Sequence, residues 1–248
     1  MNKKALAISV IAVLISFLGG FLLANALNKN ELDTLRSEVE KLKNQENIRS
    51  QNSSEITLTD EELRDKIAEA DQTPNNIRVQ RSLGLALYRY ALIKQDTELL
   101  NDVARLLTRS YEKASDDFEV TTALGNVYFD IGYFKKTDEN FEKAREFYYK
   151  ALKQKPNDAD VRTDLGLTWF LLNTPDNEKA IAEFQKSLQI NPRHEKTLQV
   201  ISQALLAQNK FEEAEKYILK LREVNGDNPG LADIEMRLEE GKSNLQKK

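Results

Sequence analysis

Two arginines stand out among the residues that could bind a ligand. Arg78 and Arg81 lie about one turn apart if their segment is helical, and Leu85 and Tyr88 continue the same face. A guanidinium group can hold a carboxylate through two parallel hydrogen bonds. This face therefore predicts a site for a peptide segment that has a carboxylate at one end and an apolar side chain beyond it.

Residues that could support catalysis form no recognisable motif. The sequence of 248 residues has no cysteine and one histidine, His194, which is expected in an exposed turn. It contains no glycine-rich phosphate loop, no nucleophile-elbow motif and no cluster with the spacing of metal ligands. Paired acids such as Asp116-Asp117 are typical of helix caps and solvated faces. We therefore expect a protein that is not an enzyme and needs no cofactor or metal.

Composition narrows the class of fold and of partner. The formal net charge is -4 and the isoelectric point is near 5.4, which argues against a nucleic-acid partner because phosphate binding needs a concentrated basic surface. Nine glycines and five prolines are too few turn-forming residues for a protein of many strands. The composition favours an all-α fold.

An internal repeat is the strongest pattern in the sequence. A Leu-Gly pair recurs every 41 residues, at 83–84, 124–125 and 165–166, and Ile201-Ser202 takes the same place 36 residues later. Large apolar residues follow at the third and fourth positions after each glycine or its equivalent, and each unit then reaches an alanine at 104, 144, 180 or 214. Small residues on facing helices let a pair cross closely, while the large ones fill the seam to the next pair.

The repeat resembles the tetratricopeptide repeat. Two units carry the resemblance most fully, one with Leu124, Gly125, Tyr128, Ala144, Tyr148, Ala151, Leu152 and Pro156, the other with Leu165, Gly166, Trp169, Ala180, Phe184, Leu188 and Pro192. The resemblance implies a right-handed α-solenoid of about four helix pairs in residues 59–248. The predicted units are 76–115, 117–156, 158–192 and 194–226, followed by a capping helix at 229–246. Extra residues at 95–97 and 137–140 predict elongated helices or loops, and Thr59 and Glu62 predict a capping box.

The resemblance also implies a concave groove lined by the first helix of each pair. The predicted peptide-binding residues are Arg78, Arg81, Leu85, Tyr88, Thr122, Asn126, Phe129, Thr163, Leu167, Phe170, Gln199 and Gln203. Glu119, Asp160, Lys196 and Leu206 occupy equivalent positions. Arg81 and Asn126 are similar to the clamp with which some family members hold a peptide carboxylate, but Leu85 stands where that clamp has asparagine.

Residues 5–27 carry no charge and follow a short basic head at 1–4. A helix of this length spans about 34 Å, and a bilayer's hydrocarbon core is roughly 30 Å thick. The segment therefore predicts an uncleaved transmembrane signal anchor, with the head in the cytoplasm and the following domain outside it. The alternative is a signal peptide cleaved after Ala26, because Ala24-Asn25-Ala26 matches the small-residue cleavage pattern.

Residues 28–58 predict a stalk and linker. Leucine or valine at 32, 35, 39 and 42 follows the spacing of a coiled-coil seam, and small residues at 12, 16, 20 and 24 share one face of the predicted span. Both patterns favour a parallel homodimer; a solvated stalk helix is the alternative.

The order of span, stalk and array resembles the tetratricopeptide subunits of bacterial cytochrome c maturation. That resemblance implies an inner-membrane adaptor whose periplasmic groove binds a protein or peptide partner and assists assembly of an extracytoplasmic complex. Two alternatives stay open: a structural scaffold that oligomerises through its transmembrane and stalk helices, and a general periplasmic chaperone-like protein of the same repeat family.

We expect protein purified from membranes to keep its N-terminal residues, because the uncharged segment is longer than the apolar region of a secretory signal. Intact-mass measurement tests this, and a reporter fused after Lys248 should be active outside the cytoplasm. A mature N-terminus at Leu27 would contradict the anchor, and a reporter active only in the cytoplasm would contradict the orientation.

Overall fold

The computed structural model describes residues 59–246, and in this range the chain forms ten α-helices and no strand. They are α1 (Asp60–Gln72), α2 (Ile77–Lys94), α3 (Thr97–Lys113), α4 (Phe118–Lys135), α5 (Asp138–Gln154), α6 (Ala159–Phe170), α7 (Asn177–Ile190), α8 (Glu195–Ala207), α9 (Phe211–Val224) and α10 (Leu231–Gln246). The predicted all-α fold is confirmed for this part of the chain.

The predicted membrane anchor at 5–27 and the stalk and linker at 28–58 lie outside the described residues. Within the range 59–246, no helix combines the length and the apolar character that crossing a membrane requires.

Polar side chains fix where most of the helices begin. Thr59 and Glu62 form the predicted capping box of α1: the Glu62 N–H donates to Thr59 Oγ1 and the Thr59 N–H donates to Glu62 Oε2. Side-chain oxygens also accept a first-turn N–H at the caps of five later helices, at Asn76, Asp96, Asp117, Asp158 and Asp176. Such caps satisfy backbone donors that have no partner inside the helix.

The helices α2 to α9 pack as four consecutive pairs. The first two pairs are long, with helices of 17 or 18 residues, whereas helices in the last two pairs have 12 to 14 residues. The extra residues of the first two units therefore lengthen helices rather than forming extended loops. Single left-handed residues, Gln95 and Lys136, end α2 and α4 and let the next helix start within three residues.

The glycine of each Leu-Gly pair allows the two helices of a pair to touch. A Cβ atom at Gly125 would lie 2.6 Å from the ring of Tyr148, and one at Gly84 would lie 2.6 Å from Leu107. Gly166 meets the ring of Phe184 in the same way. Each large side chain thus occupies the space left by the missing Cβ on the facing helix.

Contacts between pairs join these units into one array. The guanidinium of Arg145 on α5 donates to the carbonyl of Thr168 and lies 3.9 Å from the ring centre of Trp169, both on α6. At the two ends, α1 buries Leu63 and Ile67, and α10 buries Leu231, Ile234 and Leu238. The end helices cover apolar faces of the terminal pairs and leave charged residues outward.

We expect Gly125→Leu to lower the free energy of unfolding by more than about 2 kcal/mol, because the new side chain must occupy the space of Tyr148. Chemical denaturation of the full-length protein in detergent, followed by the fluorescence of its single tryptophan, measures this.

The matched control is Gly226→Ala, because a Cβ there meets only the carbonyl oxygen of Arg222 at 3.5 Å. It should change the free energy of unfolding by less than about 1 kcal/mol. Equal effects of the two substitutions would show that close packing at Gly125 does not hold the pair together.

Candidate peptide-binding groove

Side chains link the first helices of successive pairs directly, α2 to α4 and α6 to α8, and α4 also contacts α6. Tyr88 on α2 bonds to Asp130 on α4, and Lys196 on α8 bonds to Asp164 on α6. Such links require that first helices of successive pairs lie side by side. They form the inner surface of the array, which we call the groove.

Arg81 is held at one end of the groove by carboxylates of the next pair. Its Nε donates to Asp117 Oδ2 at 2.7 Å, and its Nη2 donates to Glu119. Hydrogen bonds to Asp117 and then Glu119 raise the pKa of Arg81. Asp117 also caps α4. The predicted role of Arg81 in binding a partner's carboxylate stays a prediction, and in this structure its guanidinium serves to join α2 to α4. Arg78, one turn earlier, is exposed.

The centre of the groove holds a mixed polar cluster of Tyr88, Asp130, Asp164 and Lys196, here called the central cluster. The hydroxyl of Tyr88 donates to Asp130 Oδ2 at 2.5 Å. The ammonium of Lys196 donates to Asp164 Oδ1 at 2.5 Å, and these two side chains are each 19% exposed. The cluster therefore brings two carboxylates and one ammonium onto three successive first helices.

Burial makes Asp130 an unusual carboxyl group. It raises the pKa of Asp130 to about 7, and the nearby charge of Asp164 adds to the effect. The hydrogen bond from Tyr88 and the charge of Lys196 act in the opposite direction but do not compensate. Near neutral pH the folded protein therefore holds Asp130 as a mixture of protonated and ionised forms.

Polar residues predicted for the groove at α4 have partners inside the second pair. Asn126 accepts a hydrogen bond from the Tyr148 hydroxyl at 3.0 Å through its Oδ1. Thr122 is half-buried, and its hydroxyl oxygen has no hydrogen-bond partner among the described residues. Asn126 is thus positioned by the large residue that also fills the space at Gly125.

The prediction that Thr163 lines the groove is wrong. Its side chain is fully buried, because its hydroxyl bonds to the Ala159 carbonyl and lies among the hydroxyls of Ser187 and Thr197. Leu206, at an equivalent predicted position, is also buried. A small hydroxyl side chain can enter the core when its hydrogen bonds are satisfied there.

His194 is not in an exposed position, contrary to the sequence-based expectation. It is only 6% exposed and is the N-cap residue immediately before α8. Its Nε2 donates to Asp160 Oδ1 at 3.0 Å, and its Nδ1 lies 2.5 Å from the hydroxyl of Thr197. The hydrogen bond from His194 lowers the pKa of Asp160. The histidine therefore joins α6 to α8 rather than facing solvent.

Apolar side chains complete the surface around the central cluster. Four of the predicted residues are half-buried and pack partly against the core: Leu85, Phe129, Leu167 and Phe170. At the far end, Gln199 accepts a hydrogen bond from Asn228 through its Oε1, and Gln203 is half-buried one turn later. The groove thus combines apolar walls with a charged centre.

The sequence-based selection missed Asp130 and Asp164, which fall outside the four consensus positions used for the groove. One signal was present: Asp130 is the only charged residue between Glu119 and Lys135. A lone charge in such an apolar helix needs a polar partner or a function. The partner, Tyr88, is 42 residues away, close to one repeat length.

Comparison with known proteins agrees with this geometry. Two family models, both described as tetratricopeptide repeat, match residues 125–158 and 171–235. The chain is 32% identical over 104 residues to the peroxisomal targeting signal receptor of Candida albicans, covering 42% of this chain and 16% of that protein. It is 33% identical over 89 residues to the transcription factor tau 131 kDa subunit of Saccharomyces cerevisiae, covering 33% of this chain and 9% of that protein. The chain thus spans a small part of each relative's length.

Solved structures show the same fold. The crystal structure of MamA superposes with a TM-score of 0.53 at 23% identity, covering 66% of this chain and 87% of that one. The MamA RS-1 ArsTM double mutant gives a TM-score of 0.55 at 18% identity, covering 68% and 86%.

The paired helices, their glycine contacts and these matches define a helical-repeat scaffold of the kind that binds other proteins. Residues 125–158 and 171–235 carry tetratricopeptide repeats, and the helix pairs around them have the same arrangement.

We expect Asp130→Asn to stabilise the fold by about 1–3 kcal/mol at pH 8. The folded-state pKa of Asp130 lies above the unfolded value, so ionisation makes folding less favourable as pH rises from about 4 to 7. The gain should therefore shrink as the pH is lowered towards 4. Chemical denaturation of the full-length protein in detergent at several pH values measures it.

Asp116→Asn is the control, because Asp116 is an exposed carboxyl in the turn before α4. It should give no gain of this size or pH dependence. Destabilisation by Asp130→Asn at pH 8 would contradict the costly burial of the ionised carboxylate.

Proposed function

We propose that this chain is a membrane-anchored adaptor that binds a protein or peptide partner in its groove, outside the cytoplasm. The tetratricopeptide array supports a role in protein–protein interaction. The observation that carries the proposal is the groove itself, where apolar side chains on successive first helices surround a charged centre.

The groove suits a peptide segment better than a small molecule. Its half-buried apolar residues are distributed over α2, α4 and α6, so a ligand must extend across several helices to contact them all. Extended or helical segments of a partner have that reach, and arrays of this kind use their concave surfaces in this way.

The proposed membrane anchor and the proposed periplasmic location are both inferred from the sequence. An uncharged segment at 5–27 would hold the array at the bacterial inner membrane, with the groove in the periplasm. There the adaptor would assist assembly of an extracytoplasmic complex, of which the machinery of cytochrome c maturation is one example. No reaction forms part of this proposal.

A structural scaffold is the second candidate function. The heptad spacing in residues 28–58 and the small-residue face in 5–27 favour it, since both are typical of helices that self-associate. In that case the captured neighbour would be a second copy of this chain, joined through its N-terminal helices.

A photo-crosslinking amino acid at Gln203 should capture a partner in native membranes, whereas one at Gln185 should not. Gln203 is a half-buried residue of the first helix α8, and Gln185 is an exposed residue of the second helix α7. Gel analysis and mass spectrometry of the crosslinked full-length protein measure the capture at each position.

Capture at Gln185 equal to that at Gln203 would contradict the groove as the binding surface. If the captured protein is this same chain, the scaffold function is favoured instead.

A further inference from the structure

We propose that the partner enters the groove with a lysine or arginine side chain, whose cation lies against Asp130 and Asp164. This inference rests on the proposed function, because it names the partner chemistry that the same groove selects. The proposed cation is opposite in charge to the partner carboxylate that Arg78 and Arg81 predict from the sequence.

The arrangement of charges in the groove favours a cation. Arg81 already bonds to two carboxylates of this chain, Asp117 and Glu119, so its guanidinium has partners without a carboxylate from the ligand. In the central cluster the ammonium of Lys196 bonds to Asp164, which leaves two carboxylates with one cation. An entering cation would balance that cluster, whereas an entering carboxylate would add a third negative charge to it.

The position of Asp130 strengthens this preference. The carboxyl group is half-buried, and the hydrogen bond that it accepts comes from a neutral hydroxyl, that of Tyr88. A buried carboxylate gains most from a charged donor, because such hydrogen bonds are stronger than those from neutral groups. The partner's cation would supply the charged donor in a site already shielded from water.

A long side chain fits the surroundings better than a free metal ion. Among residues 59–246, no group of three or more potential ligands is arranged to hold a metal. Phe129 lies next to Asp130 on α4, and Leu167 and Phe170 are half-buried on α6. The methylene stem of a lysine or arginine can pack on such apolar surface while its charged end reaches the carboxylates.

Release of a proton from Asp130 should accompany this recognition. The groups that face Asp130 are Tyr88 on α2, Asp164 on α6, Lys196 on α8 and Tyr148 on α5. Burial raises the pKa of both tyrosines well above 10, and the pKa of Lys196 is also raised, since Asp164 outweighs its burial. Asp130 itself is half-protonated near pH 7. Binding of a cation favours its ionised form and should tighten as pH rises from 6 to 8.

The test is selection from a displayed library of random dodecamer peptides against the full-length protein in detergent. The native protein, Asp130→Asn and the control Asp116→Asn are compared. The native protein and the control should enrich peptides with lysine or arginine at one fixed position, and Asp130→Asn should lose that enrichment. Because Asp130→Asn is expected to stabilise the fold, lost enrichment does not reflect unfolding.

Synthetic peptides from the selection then quantify the effect. Replacing the enriched basic residue by glutamine should weaken binding to the native protein by about tenfold or more, and by less than about twofold for Asp130→Asn. Affinity for the native protein should also rise between pH 6 and 8, and this pH dependence should be absent from Asp130→Asn. A pH dependence that persists in Asp130→Asn belongs to another group and overturns the proposal.

Two further outcomes separate this inference from the proposed function. Enriched peptides without a basic residue, or with an acidic one, would overturn the inference while leaving the groove as a peptide-binding site. Failure of any peptide to be enriched on the native protein would count against both.

Discussion

The close approach of two helices at a glycine governs the rest of this structure. At Gly84, Gly125 and Gly166 the absent Cβ leaves room for Leu107, Tyr148 and Phe184 from the facing helix. Because this contact recurs at the same place in the first three repeats, those pairs have similar geometry and can stack on one another. Stacking in turn places the first helix of each pair beside the first helix of the next pair. The row of first helices forms the groove.

Once first helices lie side by side, polar side chains on them must find partners across the seam between pairs. The array meets this requirement in three different ways. Arg81 forms ion pairs with Asp117 and Glu119 at one end of the groove. Lys196 forms an ion pair with the half-buried Asp164 at its centre. His194 contacts the buried hydroxyl of Thr197, which lies beside that of Thr163. Asp130 differs from these, because the hydrogen bond that it accepts within the described part of the chain comes from a neutral donor, the hydroxyl of Tyr88. The site that we assign to a partner therefore arises from the same seam that holds the array together.

The sequence predicted the helix pairs because their signals are local or strictly repeated. Leu-Gly spacing, the alanines of the second helices and the Thr59 capping box each report on residues within one unit. Groove contacts were harder to predict because their partners come from neighbouring units, 32 to 42 residues away. Thr163 shows the physical difficulty: consensus position placed it in the groove, but buried hydroxyls on α7 and α8 could satisfy it and draw it into the core. Whether such partners exist depends on three helices at once, which no single repeat unit reveals.

A carboxyl group that costs stability is easier to keep in a repeat array than in a single compact core. Each unit contacts only its neighbours, so the unfavourable burial of Asp130 is confined to the seam between the first three pairs. The apolar contact of Leu107 against Gly84 in the first pair does not depend on its charge. A destabilised polar group at a binding surface can then be stabilised by the ligand, and binding gains what folding has lost. At the centre of the groove, the buried carboxyl of Asp130 lowers the stability of the fold but favours binding of a partner's cation. The helix contacts at the glycines keep the array folded despite this loss.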